Sequence, residues 1–118
     1  MTNSERSVQF WSVLVVAAKA QQVLSYDTLE KITGIPRFGQ SKPLGNIYSY
    51  CEQNGLPPLT SIVLEQRTGK PADPAFAPPF ELAAEHRRVF IFDWVKHGCP
   101  KAEQFDQSRE KEEASVTA

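Results

Sequence analysis

The sequence predicts an α+β, mostly α, domain of the winged helix-turn-helix type, with a small β-hairpin and a C-terminal helix. Three observations lead there. Apolar residues recur at helical spacing over residues 4–20 and again over 43–53. Between those runs lies a short segment framed by a capping serine, Ser25, and a glycine stop, Gly34. After Pro57-Pro58 comes a β-branched run and then a glycine turn, the order expected of a wing.

Each element has its own reason. Ser4 can cap the first segment, Phe10, Trp11, Leu14, Val15 and Ala18 share a face, and no proline or glycine interrupts before Gln22, which predicts a helix over 4–20. The second helix begins at Ser25, gains from Asp27 in its first turn, and has Leu24 and Leu29 placed as a hydrophobic staple. Ile35-Pro36 sets its exit direction, and residues 37–42 form a polar loop containing Gly39. A third helix starts near 41–43, where Pro43 fits a first turn, carries Leu44, Ile47, Tyr48 and Cys51 on one face, and stops at Asn54-Gly55. Pro57-Pro58 blocks continuation, residues 59–65 read as a strand, 67–70 as a turn, and 71–79 as a proline-rich loop. Residues 80–98 are predicted as one helix with Leu82, Val89, Phe92 and Lys96 on a face, ended by Gly98 and Pro100. Residues 101–118 are charged and polar with a single aromatic, Phe105, and are expected to be a disordered tail, leaving 1–100 as the globular domain.

The totals bound what such a domain can be. A chain of 118 residues supports a single core, and 41% hydrophobic with 23% charged residues fits a globular protein rather than a disordered one. The longest apolar run, 13–18, is too short to span a bilayer, and residues 1–5 lack the basic start of a signal peptide, so a cytoplasmic protein without a membrane partner is expected. The two cysteines, Cys51 and Cys99, make no disulfide framework. The net charge is −1, but residues 1–98 carry ten basic against nine acidic side chains, so a basic face requires local clustering.

No catalytic residue is predicted. Cys51 shares a face with Leu44 and Ile47 and reads as core. Cys99 lies two residues after His97, but nothing in the sequence supplies the third group that would hold the imidazole. His86 and His97 are eleven residues apart, about 16 Å along one continuous helix, too far to share a metal. Glu81 and Glu85, with Arg88 beside them, read as a solvated charged face. There is no glycine-rich phosphate loop, and neither a metal nor a small-molecule cofactor is expected.

Nucleic-acid binding has positive signals. Arg37, Gln40 and Lys42 precede the third helix, and Arg67 and Lys70 occupy the predicted hairpin turn. In a winged helix-turn-helix the turn and the wing tip approach one side of a duplex, with Asn46 and Ser49 projecting from the helix between them.

Residues 24–29, 42–45 and 54–63 together resemble the DNA-binding domain of O6-alkylguanine-DNA alkyltransferases and alkyltransferase-like proteins. By that resemblance Tyr26 matches a tyrosine acting at the target nucleotide's phosphate, and Lys42 stands where the family has its intercalating arginine. Leu59, Thr60 and Ser61 stand where the family has its reactive cysteine, histidine and arginine. With neither thiol nor imidazole there, the resemblance implies duplex binding without alkyl transfer. The leading expectation is thus a non-catalytic winged-helix module that binds double-stranded DNA. The alternative is a small protein-interaction module, an accessory or inhibitory subunit using the proline-rich loop, Phe76 and the acidic tail.

Overall fold

The computed structural model describes residues 1–71 and 82–117, with side chains described as far as residue 114. The proline-rich loop of residues 71–79, with Phe76, and the expected helix start at 80–81 fall outside those residues, save for Pro71. The chain folds as α1 (Asn3–Lys19), β1 (Leu24–Ser25), α2 (Tyr26–Thr33), a 3-10 turn (Arg37–Gly39) and α3 (Ser41–Gln53). It continues through a second 3-10 turn (Leu59–Ile62), β2 (Val63–Leu64), α4 (Leu82–Ile91), α5 (Trp94–His97) and α6 (Ala102–Thr117).

The first three helices follow their local signals. Thr2, rather than Ser4, caps α1, in a reciprocal capping box with Glu5. Ser25 caps α2 by accepting from the Thr28 N–H, and Gly34 ends it at φ 76°. Ser4 and Ser7 are then free to face inward, where Ser7 Oγ donates to the Pro43 carbonyl at 2.9 Å and ties α1 to α3.

α1 is the central strut, packed by α3, α6, α4 and the second 3-10 turn. Trp11 sits at the centre of its buried face. The Trp11 ring meets Tyr50 and Trp94 edge-on at 5.6 and 5.5 Å, with Phe105 at 6.1 Å. The Trp94 indole N–H is satisfied by the Val89 carbonyl at 2.8 Å, as a fully buried polar group requires.

Four expectations are corrected. Residues 59–62 form a 3-10 turn, not a strand, and Leu59, Thr60, Ser61 and Ile62 are all fully buried. The segment fills a site between helices α1, α3 and α4, and that burial overrides the strand propensity of Thr60 and Ile62, which depends on having strand neighbours.

The β-hairpin is also absent among the described residues. β2 pairs with β1 in parallel, Leu24 opposite Val63 and Ser25 opposite Leu64. Parallel neighbours require a crossover, here supplied by α2 and α3, whereas a hairpin is antiparallel by construction. The chain beyond β2 turns back on itself through the Glu65 N–H to Lys70 carbonyl bond at 2.9 Å.

The single helix expected over 80–98 is split at Phe92-Asp93. Asp93 leaves the helical conformation and accepts from the Lys96 N–H at 3.1 Å, capping α5, which lets Trp94 turn into the core.

Finally, residues 102–117 are helical and docked rather than a disordered tail. Phe105 is fully buried, Ser108 is buried, and the Gln53 side chain donates to the Ser108 carbonyl at 2.9 Å. Average composition misses this because one aromatic ring in the right register can anchor four turns. The exposed side of α6 is held by Arg109 with Asp106 at 3.3 Å and Glu113 at 3.9 Å.

Candidate functional site

The eight residues expected to touch DNA separate into two groups. Arg37, Lys42, Arg67 and Lys70 are exposed; Tyr26, Gln40, Asn46 and Ser49 are buried.

The buried four face the interior or the helix contacts. Gln40 is 1% exposed, and its Nε2 donates to the carbonyls of Tyr26 and Ile35, each at 3.1 Å. It fastens the loop after α2 to the body. Asn46 Nδ2 donates to Ser7 Oγ at 3.3 Å, inside the α1–α3 contact. Ser49 lies one turn further along α3 and lines, with Asn46, Gly45 and Lys42, a groove whose other wall is Arg109 and Glu112 of α6. The face of α3 expected to read bases is therefore walled by α6, on a side that carries carboxylates. The ring of Tyr26 is buried, with the Arg37 guanidinium 4.7 Å from its centroid.

The exposed cations have a clearer arrangement. Arg37 lies in the first 3-10 turn and pairs with Glu65, the first residue of the 65–70 turn. That contact sets the residue-37 loop and the 65–70 turn side by side, although they are about thirty positions apart in sequence. It also neutralises much of the Arg37 charge. Lys42, Arg67 and Lys70 form no ion pair among the described residues. Arg6 joins this edge from α1, its guanidinium reaching the vicinity of Gly39.

Two residues here escape a sequence reading. Glu65 carries no local mark of its role, because its partner is distant in the chain. Phe38 stands between Arg37 and Gly39 in a loop read as polar, and it is 90% exposed. An aromatic residue flanked by arginine and glycine was the available signal.

The groups considered for chemistry are dispersed or shielded. Cys51 is almost fully buried, and burial pushes its thiol from 9.0 up to about 12, outweighing the Leu59 backbone hydrogen bond that opposes the shift. Cys99 is exposed, yet desolvation also raises its thiol, against a smaller lowering by Ser12. Its Sγ donates to the Pro100 carbonyl at 3.3 Å, whereas His97 Nε2 lies 3.0 Å from the Tyr50 hydroxyl. A thiol raised in this way is a weaker source of thiolate than free cysteine.

His86 Nε2–H donates to the Ser61 carbonyl at 2.7 Å, so the two histidines serve separate packing contacts. Because α4 and α5 are distinct helices, the two histidines are not spaced along one continuous helix. No group of three or more metal-ligating side chains occurs among the described residues. Leu59, Thr60 and Ser61, expected from the resemblance alone to stand at a former reactive motif, are wholly enclosed.

A second surface is apolar. Val13, Val16, Ala17, Leu24 and Ile32 line a groove of about 480 Å³ between the end of α1 and α2. Val16 and Ile32 are 70% and 55% exposed along it. No described helix is long and apolar enough to cross a membrane. Neither a protein-family model, nor a curated protein, nor a solved structure matches this chain.

Proposed function

We propose that the chain is a non-catalytic nucleic-acid-binding module that grips phosphates along the edge formed by Arg37, Lys42, Arg67 and Lys70. The observation that carries this reading is the Arg37–Glu65 contact, which joins the two cationic loops of a near-neutral chain on one edge. Arg67 and Lys70 on that edge, and Lys42 at the start of α3 beside the α6 groove, form no ion pair among the described residues and are available to phosphate.

The mode differs from the winged-helix expectation. Gln40 and Asn46 are bonded into the fold and Ser49 lies in the α3–α6 groove, so contact runs through loop edges and the first turn of α3 instead of through base-reading side chains. Affinity then rests on counterion release and varies steeply with salt. The test is fluorescence anisotropy of labelled duplex DNA with the wild type and with a Lys42→Glu, Arg67→Glu double variant at two salt concentrations. Both positions are exposed, so the variant is expected to fold, and binding should be lost. Equal affinity in the two proteins refutes the reading.

The apolar groove along α1 favours a second reading, an accessory module that docks a protein through Val16 and Ile32. Under it, Val16→Asp removes partner retention while leaving any DNA binding unchanged.

A further inference from the structure

We infer that Phe38 is a base-stacking wedge, and that the preferred ligand is nucleic acid with an unpaired or already unstacked base. The inference rests on the nucleic-acid reading above and adds the kind of nucleic acid.

Among the described residues Phe38 is the most exposed large apolar side chain, at 90%. The backbone presenting it is firmly held. The Gly39 N–H donates to the Pro36 carbonyl at 2.8 Å and the Gln40 N–H to the Arg37 carbonyl at 3.1 Å. Before Phe38, Arg37 is paired with Glu65 and laid over Tyr26; after it, the buried Gln40 is bonded to Tyr26 and Ile35. Gly39 allows the tight approach, since a Cβ there would lie 3.1 Å from Ile35 Cγ2. A ring displayed on a fixed turn loses little backbone freedom on binding, which favours its use as an anchor.

Its surroundings indicate what it anchors to. Arg67 and Lys70 occupy the turn joined to Phe38's neighbour Arg37, and Arg6 reaches Gly39. An aromatic face among cations complements a base with phosphates on either side. A protein anchor instead calls for an apolar surround, yet the exposed Val16 and Ile32 line the α1 groove, to which Phe38 does not belong. Entering an intact duplex requires a step to be unstacked first, while a bulged base is already free. The wedge therefore confers preference for interrupted over continuous duplex.

The test uses the full chain and two short DNA probes, one fully paired and one carrying a single unpaired 2-aminopurine. The wild type should bind the interrupted probe more tightly and quench its fluorescence. Phe38→Ala should weaken that binding by about 5- to 150-fold and abolish both the quench and the preference. Its salt slope should match that of the wild type, because no charge is removed. Phe38→Trp should retain the preference. An unchanged thermal melt verifies that Phe38→Ala is folded, as its exposure predicts.

If the wild type binds both probes in a salt-dependent way and Phe38→Ala behaves identically, the wedge is refuted and the broader reading stands. If the wild type binds neither probe, both fail. Phe38-dependent retention of a protein after nuclease treatment, with neither probe bound, assigns the ring to a protein contact and overturns the inference.

Discussion

Replacing Phe105 with alanine tests whether α6 is docked on the domain and so covers the face of α3 that carries Asn46 and Ser49. Phe105 is fully buried, 5.6 Å from the Tyr50 ring and 6.1 Å from Trp11. Truncating a core phenylalanine costs about 3–5 kcal/mol. Two aromatic neighbours, each contributing about 0.5–1.5 kcal/mol beyond burial, place this site toward the upper end. Against a typical stability of about 5–15 kcal/mol, that is a large fraction. With an unfolding entropy of about 2.1 cal/mol/K per residue, the loss in this 118-residue chain corresponds to a Tm lower by about 12–20 °C. Urea unfolding followed by tryptophan fluorescence reads it directly, since Trp11 and Trp94 are both buried. Glu112→Ala on the exposed side of α6 is the control, expected to stay within about 0.5 kcal/mol. If Phe105→Ala shares the wild-type midpoint, α6 is not docked and the α3 face is open after all.

The two remaining predictions concern burial and backbone geometry. Cys51 holds its proton more tightly in the folded state (about 12 against 9.0), so the stability linked to it is complete below pH 9 and falls as pH rises toward 12. Stability therefore falls with rising pH in that window, and alkaline urea titrations of Cys51→Ala should show a shallower slope than wild type; an equal slope would sink the assignment. Gly34→Ala should lower stability by about 1 kcal/mol, because φ is 76° and no neighbour within 4 Å of the added Cβ offers compensation. Gly45→Ala, inside α3 with equally open space, should instead raise it by about 0.5–1 kcal/mol. Thermal melts that move the two variants in the same direction refute this pairing.

Nearest-neighbour chemistry determined a good deal of this protein. The bounds of α1, α2 and α3 follow from caps, glycine stops and apolar period, all acting within a turn or two of the chain. The core role of Cys51 follows from its helical face in the same way. The cations of the edge were also legible, since exposed loops carry their charge openly in the sequence.

Contacts between distant segments decided the rest. Whether 59–65 becomes a strand depends on a partner, and β1 offers only two residues, in parallel. Whether 102–117 folds depends on a slot between Trp11 and Tyr50 that no local pattern reveals. Gln40, Asn46 and Ser49 looked available because polarity is visible in a sequence while enclosure is not; hydrogen bonds to Tyr26, Ile35 and Ser7 draw the first two inward, and the α3–α6 groove takes the third. The meeting of the residue-37 loop with the 65–70 turn is likewise tertiary, because an ion pair between Arg37 and Glu65 acts through space and leaves no trace in sequence spacing.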